Sequence, residues 1–211
     1  LSDHQQASLL RSLDHAYRLL SARERAAFDI ALEPKESYEQ YDTGRFGRGC
    51  LLARRLVEAG ARYVTVRVDG QWDSHQQNFN AHRGLIPPWD VCLSALIEDL
   101  DQRGLLSTTL LVIGGEFGRT PRINQNGMAS PGRQHWPSCF STMLAGGGIK
   151  GGRVWGESDK DGAYVKDKPV RPQDLGATIF HALEVPLDMR LGKDGFTRPL
   201  STGRPLYELF S

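Results

Sequence analysis

The sequence predicts an α/β fold, with a mostly parallel sheet and flanking helices. Three observations point there. Helix-like and strand-like stretches alternate along the chain. Residues 108–113 (TTLLVI) form a continuous apolar run, of the kind buried on both faces of a parallel sheet. Polar motifs follow the predicted strands at once, and such sheets gather their sites beyond the C-terminal strand ends.

The elements follow in order. Residues 3–20 have Leu9, Leu13, Ala16, Tyr17 and Leu20 at helical spacing, with Ser2 or Asp3 placed to cap the start. A second helical stretch covers 22–31. Residues 33–45 are polar and broken by Pro34 and Gly44, so they read as a surface connection or a short exposed helix. Residues 46–59 read as a helix that Gly60 closes. Residues 62–68 (RYVTVRV) alternate like a strand. Pro87-Pro88 precede a helix over 89–103, with Leu93, Leu96, Ile97 and Leu100 on one face. After the strand at 108–113 comes a polar loop over 119–138. A strand follows at 140–145, ended by Gly146-Gly147-Gly148, and a short strand lies near Val154-Trp155. A last helix spans 171–184. The predicted organisation is one domain over 1–211, with a helical N-terminal segment (1–45) and a motif-bearing core (46–200).

Composition removes several functions. A formal charge of +1 over 211 residues gives no general attraction to nucleic acid or to an anionic membrane. No apolar run nears the ~18 residues that span a bilayer. Cys50, Cys92 and Cys139 are far apart, which argues against a zinc ribbon or a disulfide framework, and the first two read as core thiols. The chain starts at Leu1 with no signal-peptide pattern, so it is expected to begin inside a longer gene product.

Three motifs carry side chains suited to chemistry. In Trp72-Asp73-Ser74-His75, an extended backbone puts Asp73 and His75 on one side. Together they can bind a divalent metal or hydrogen-bond each other, and the loop can equally cap a helix through Asp73 or Ser74. In Gly114-Gly115-Glu116-Phe117-Gly118-Arg119, Glu116 is a candidate metal ligand or general base, and Arg119 can grip an anion. The bland reading pairs Glu116 with Arg119 or Arg122. In Gly132-Arg133-Gln134-His135-Trp136-Pro137, His135 is a candidate ligand and Trp136 a candidate pocket wall. His82 reads as a neighbour of the first motif rather than a ligand. The glycines at 146–148 and 151–152 lack the order of a phosphate loop and read as a turn.

Together these residues resemble the DUF1501 family of bacterial proteins, abundant in planctomycetes. Its members carry Gly-Trp-Asp-Thr-His, Ser-Glu-Phe-Gly-Arg-Thr-Pro, Gly-Arg-Asp-His-Trp-Pro and Ala-Gly-Gly-Gly motifs in this order. This chain has Gln71-Trp72-Asp73-Ser74-His75, Gly115-Glu116-Phe117-Gly118-Arg119-Thr120-Pro121, Gly132-Arg133-Gln134-His135-Trp136-Pro137 and Ala145-Gly146-Gly147-Gly148. The resemblance covers about 46–200. The family is considered similar to alkaline phosphatases and sulfatases. That implies an alkaline-phosphatase-like sheet, incomplete here at its N-terminus, and one or two divalent metals (Zn, Ca, Mg or Mn).

By this analogy Asp73, His75 and His135 are metal ligands, with Glu116 where the superfamily has Asp followed by His. Phe117 then stands in place of a second-site ligand, and Gln134 in place of the family's Asp. The superfamily's nucleophile would lie in a segment N-terminal to this one.

The implied function is metal-dependent hydrolysis of phosphate or sulfate esters, with Glu116, Arg119 and Arg133 serving the reaction. It is expected of the parent protein rather than of this segment. Small anionic esters or sulfated or phosphorylated glycans are the implied partners, in a periplasmic or secreted setting. The alternative is a non-catalytic module that kept the fold and lost the full metal centre. Sheet edges left open by a missing segment would favour self-association.

Overall fold

The computed structural model describes residues 2–41, 44–68, 70, 72–124, 130–192 and 197–210. Asp69 and Gln71, at the edge of the first motif, lie outside them, as do 125–129 of the polar loop. The chain forms two compact units. One is Leu1–Asp69 with Ile86–Asp99, and the other is Gly70–Leu85 with Leu100–Ser211.

The first unit is helical. It contains α1 (Asp3–Ser21), two 3₁₀ turns (Arg23–Phe28 and Ile30–Leu32), α2 (Lys35–Tyr41), α3 (Arg45–Glu58) and the middle of α4 (Asn78–Gln102). The helix expected at 22–31 is thus two tight turns. The polar stretch at 33–45 holds the short helix α2, but that helix is not merely exposed, because Ser37 and Tyr41 are buried. Helix α4 starts well before Pro87-Pro88 and runs through them. Each proline lacks the N–H that would bond back one turn, so the helix ladder is interrupted there. The stripe of α1 has its expected spacing, yet Leu9, Leu13, Tyr17 and Leu20 remain exposed.

The core of this unit is Tyr41, Cys50, Leu51, Ala53, Cys92, Leu93, Ala95 and Leu96, built around a buried guanidinium. Arg54 is 1% exposed. Its Nε donates to Asp99 Oδ2 at 2.9 Å, its Nη1 to Glu58 Oε2 at 2.8 Å, and its Nη2 to Glu33. Tyr41 donates its hydroxyl to the same Asp99 oxygen at 2.8 Å. Burial pushes the Glu33 carboxyl up, but hydrogen bonds from Arg54 and Arg55 outweigh it and leave the group below the usual carboxylate range. Burial, helped by the neighbouring Cys92, pushes the Cys50 thiol up to about 12. Both Cys50 and Cys92 are therefore core thiols, as their helical positions suggest.

The second unit carries the strands. β1 (Leu110–Ile113), β2 (Gly118–Arg119), β3 (His135–Trp136) and β4 (Met143–Gly146) come first. β5 (Glu157–Ser158), β6 (Val165–Asp167), α5 (Pro172–Ala182), β7 (Arg190–Leu191) and β8 (Arg198–Pro199) follow. Among the described residues they make four two-stranded sheets, β1–β4, β2–β3, β5–β6 and β7–β8, every one antiparallel. The expectation of a mostly parallel sheet with flanking helices, alkaline-phosphatase-like, is therefore wrong.

The physical reasons are local. A parallel pair needs a long crossover, usually a helix. Between β1 and β4 the chain instead runs through the β2–β3 pair. Val112 and Met143 are 43% and 42% exposed, so β1–β4 is not buried on both faces. A short apolar run does not by itself distinguish these cases. Residues 62–68, expected as a strand, join no ladder among the described residues. Their alternation favours extended backbone without supplying a partner strand. Val66 lies against α3 at Gly49 instead, where a Cβ would come within 3.2 Å of Val66 Cγ1. The strand expected near Val154-Trp155 begins two residues beyond that pair, at Glu157.

Replacing Arg54 by Met should cost about 3–5 kcal/mol, because Glu33 and Asp99 would be left as buried charges without their common partner. Urea unfolding at neutral pH measures it. A loss below about 1 kcal/mol would show that the guanidinium does not hold this core together.

Candidate metal centre

The site lies within the second unit and begins with the pairing of β2 and β3. Their register puts Arg119 opposite His135 and Gly118 opposite Trp136. Thr120 extends the contact. Its N–H donates to the Gln134 carbonyl at 2.8 Å, and its hydroxyl accepts from the Gln134 N–H at 3.1 Å. Arg133 Nε donates to the Thr120 carbonyl at 2.7 Å. Gly118 must be glycine, because a Cβ there would sit 2.0 Å from the Cys139 carbonyl oxygen.

The Trp72–His75 loop is tied to this strip through backbone. Arg133 N–H donates to the Ser74 carbonyl at 3.2 Å, and Asn78 N–H to the Pro131 carbonyl at 3.2 Å. Gly132 allows the approach, since a Cβ at that position would fall 1.8 Å from the His75 carbonyl oxygen. Ser74 is buried, and its hydroxyl donates to Asn78 Oδ1 at 2.9 Å. Helix α4 starts at Asn78, so neither Asp73 nor Ser74 is its N-cap. His82 contacts the Asn78 carbonyl at 2.7 Å and the edge of Trp72, beside the motif as expected.

These constraints bring three side chains to one point. His75 Nε2 lies 3.1 Å from Asp73 Oδ2, and His135 Nε2 lies 3.0 Å from Asp73 Oδ1. One ligand atom each from Asp73, His75 and His135 falls within 4.8 Å of the other two. Ligands on a tetrahedral zinc ion are about 3.4 Å apart, so small side-chain movements would close the set on a metal. The group faces solvent, with Asp73, His75 and His135 at 49%, 40% and 48% side-chain exposure. The hydrogen bond from His135, aided by the charge of Arg119, holds the Asp73 carboxyl below the usual carboxylate range. It is therefore a carboxylate at neutral pH, as a ligand must be.

Gln134, absent from the candidate residues, supplies the orientation. Its Oε1 lies 2.8 Å from His75 Nδ1. An amide oxygen accepts, so Nδ1–H donates to it and Nε2 is the ring nitrogen that faces Asp73. Nε2 can then meet the Asp73 carboxylate, 3.1 Å away, through a proton or through a metal ion. Metal-binding histidines are commonly oriented through the other ring nitrogen in this way. The signal was available in sequence, since a hydrogen-bonding side chain adjoins His135 in the same motif.

Other candidates take supporting positions. Arg119 Nη2 lies 3.1 Å from Asp73 Oδ1 and 3.0 Å from Glu116 Oε1, bridging the two carboxylates. Glu116 thus joins the cluster through Arg119 and stands outside the three-residue group. A hydrogen bond to its own backbone N–H, then Arg119, lowers its pKa. The Phe117 ring meets both the His135 ring (4.6 Å between centroids) and the Arg119 guanidinium (5.1 Å from its centroid). Arg133 spends its Nε on Thr120, and Trp136 donates to the Ala163 carbonyl at 2.6 Å and meets Tyr164 edge-on.

Gly132→Ala should lose about 1–3 kcal/mol of stability, as overpacking does. It should also shift the His75 ring resonances in NMR spectra, because the loop must leave the strip. Unchanged stability and unchanged His75 resonances would contradict the close contact.

No curated protein and no solved structure matches the chain with significance. A family model does: the one described as "Protein of unknown function (DUF1501)" matches residues 1–210. That span takes in the N-terminal helices as well as the four motifs. The chain belongs to the DUF1501 family.

Proposed function

We propose that Asp73, His75 and His135 bind one divalent metal ion, and that the site serves hydrolysis of phosphate or sulfate esters. The observation that supports this best is the convergence of three ligand atoms within 4.8 Å on a solvent-facing surface. Two imidazoles and a carboxylate suit zinc, and three protein ligands leave a position open for substrate or water. A metal there would polarise the ester oxygen or lower the pKa of water.

The chain's own groups have separate tasks. Gln134 holds the His75 tautomer. Phe117 steadies the His135 ring. Arg119 is half of an ion pair with Asp73, and a metal drawing on that carboxylate would leave the guanidinium for an incoming anionic ester. Glu116, 60% exposed beside Arg119, is the group available to accept a proton from water. Small anionic esters are the substrate class that fits a cation pair of this kind.

A second reading, a non-catalytic hydrogen-bonded network, draws on one observation. Arg119 already neutralises Asp73 at 3.1 Å without a metal.

Calorimetric titration with Zn²⁺ and Mn²⁺ at neutral pH separates the two. The metal reading predicts one ion per chain, affinity lowered about 10–100-fold in Gln134→Leu, and a greater loss in His75→Ala and His135→Ala. Aryl phosphate or aryl sulfate turnover should disappear with the metal. No binding by the wild type, or equal turnover in His75→Ala, would leave the network reading.

A further inference from the structure

We propose that α1 is the contact surface for a second copy of this chain, with the two helices packed antiparallel about a two-fold axis. Helix α1 has 19 residues and spans about 28 Å. Its neighbour in the fold is the 3₁₀ turn at Arg23–Phe28. Among its described side chains none is buried. Leu9, Leu10, Leu13, Tyr17 and Leu20 are 48–74% exposed. A lone helix of this length is marginal in water, because helices gain most of their stability by packing an apolar face. A continuous apolar face of this kind marks an interaction surface.

The spacing identifies what covers it. Leu9, Leu13, Ala16 and Leu20 follow at intervals of four, three and four residues, the seam of a left-handed helix pair. Leu10 and Tyr17 flank that seam on one side. Arg11 and Arg18 fall on the side farthest from it, and Arg18 is paired with Asp14 of the same helix at 2.9 Å. The seam is also complementary to itself. An antiparallel mate sets Leu9 against the partner's Leu20, and Leu13 against the partner's Ala16, a large side chain against a small one. The two-fold axis repeats each pair, and Leu10 comes beside the partner's Tyr17. A parallel mate would set Ala16 against the partner's Ala16 and leave a gap there.

Charge favours the same arrangement. Asp3 lies in the first turn of α1 and Arg18 in the last. Arg25 adds its guanidinium at that last turn, donating to the Leu20 carbonyl at 3.3 Å. An antiparallel pair brings the acidic end of each helix to the basic end of the other and opposes their dipoles. Asp3 and Asp14 balance Arg11 and Arg18, so two copies do not repel. The same balance leaves no basic face for an anionic lipid surface. The contact is helical and does not use the sheet edges.

A helix pair of this size stands at the low end of specific interfaces, so the chain should dimerise at roughly micromolar concentrations. Sedimentation equilibrium should show its mass doubling as concentration rises. Leu13→Glu should stay monomeric with its near-ultraviolet circular dichroism unchanged. Arg11→Glu, on the outer side of α1, and Val112→Lys, on a sheet edge, should dimerise like the wild type. Cross-linking reads the direction and does not need Leu13→Glu to fold. In a Cys139→Ser background, chains carrying Leu9→Cys and chains carrying Leu20→Cys should form a disulfide with each other on mild oxidation. Neither should cross-link alone, because like positions are offset by about 16 Å along the axis. A wild type that stays monomeric overturns the proposal, and binding of that monomer to phosphatidylglycerol vesicles would assign the face to lipid. A dimer lost in Val112→Lys but kept in Leu13→Glu, or a cross-link in either single variant alone, also overturns it.

Discussion

The carboxylate of Asp73 is the point on which the site depends. Two imidazoles and one guanidinium meet it at 3.0–3.1 Å. None of the three is near it in sequence except His75. His135 and Arg119 arrive because β2 and β3 pair in a register that sets them opposite each other. The loop bearing Asp73 arrives because Gly132 lets its backbone lie against the strip. Remove either contact and the ligand atoms have no reason to converge. The charge balance also turns on this group, since its low proton affinity keeps an anion facing two rings at neutral pH.

The residues of the site were more legible than the scaffold that holds them. Asp73 and His75 two residues apart, and His135 in a Gly-rich motif, could be picked out because metal-binding side chains are few and their spacing is informative. The sheet was less legible for a different reason. Apolar runs and alternation report what backbone shape a segment favours, whereas strand direction depends on which partner it meets. Residues 108–113 found β4, which returns after the β2–β3 pair, and residues 62–68 found Gly49 of α3 through Val66. The helices were clearer, because a helix satisfies its backbone within itself. Even there, the prolines at 87 and 88 suggested a start where α4 in fact continues.

Two residues that the analogy counted as losses take on positive roles. Phe117 looked like a lost ligand, yet its ring meets both His135 and Arg119. Gln134 looked like a lost carboxylate beside His135, yet it reaches across to His75 Nδ1. A neutral amide in that place orients the ring without adding charge.

X-ray absorption spectroscopy of the zinc-loaded protein reads the ligand set around Asp73 itself. A zinc ion held by Asp73, His75 and His135 should give a four-coordinate shell at about 2.0–2.1 Å with the scattering of two imidazole rings, falling to one ring in His135→Ala. A shell of oxygens alone, or an imidazole count unchanged by that substitution, would contradict it.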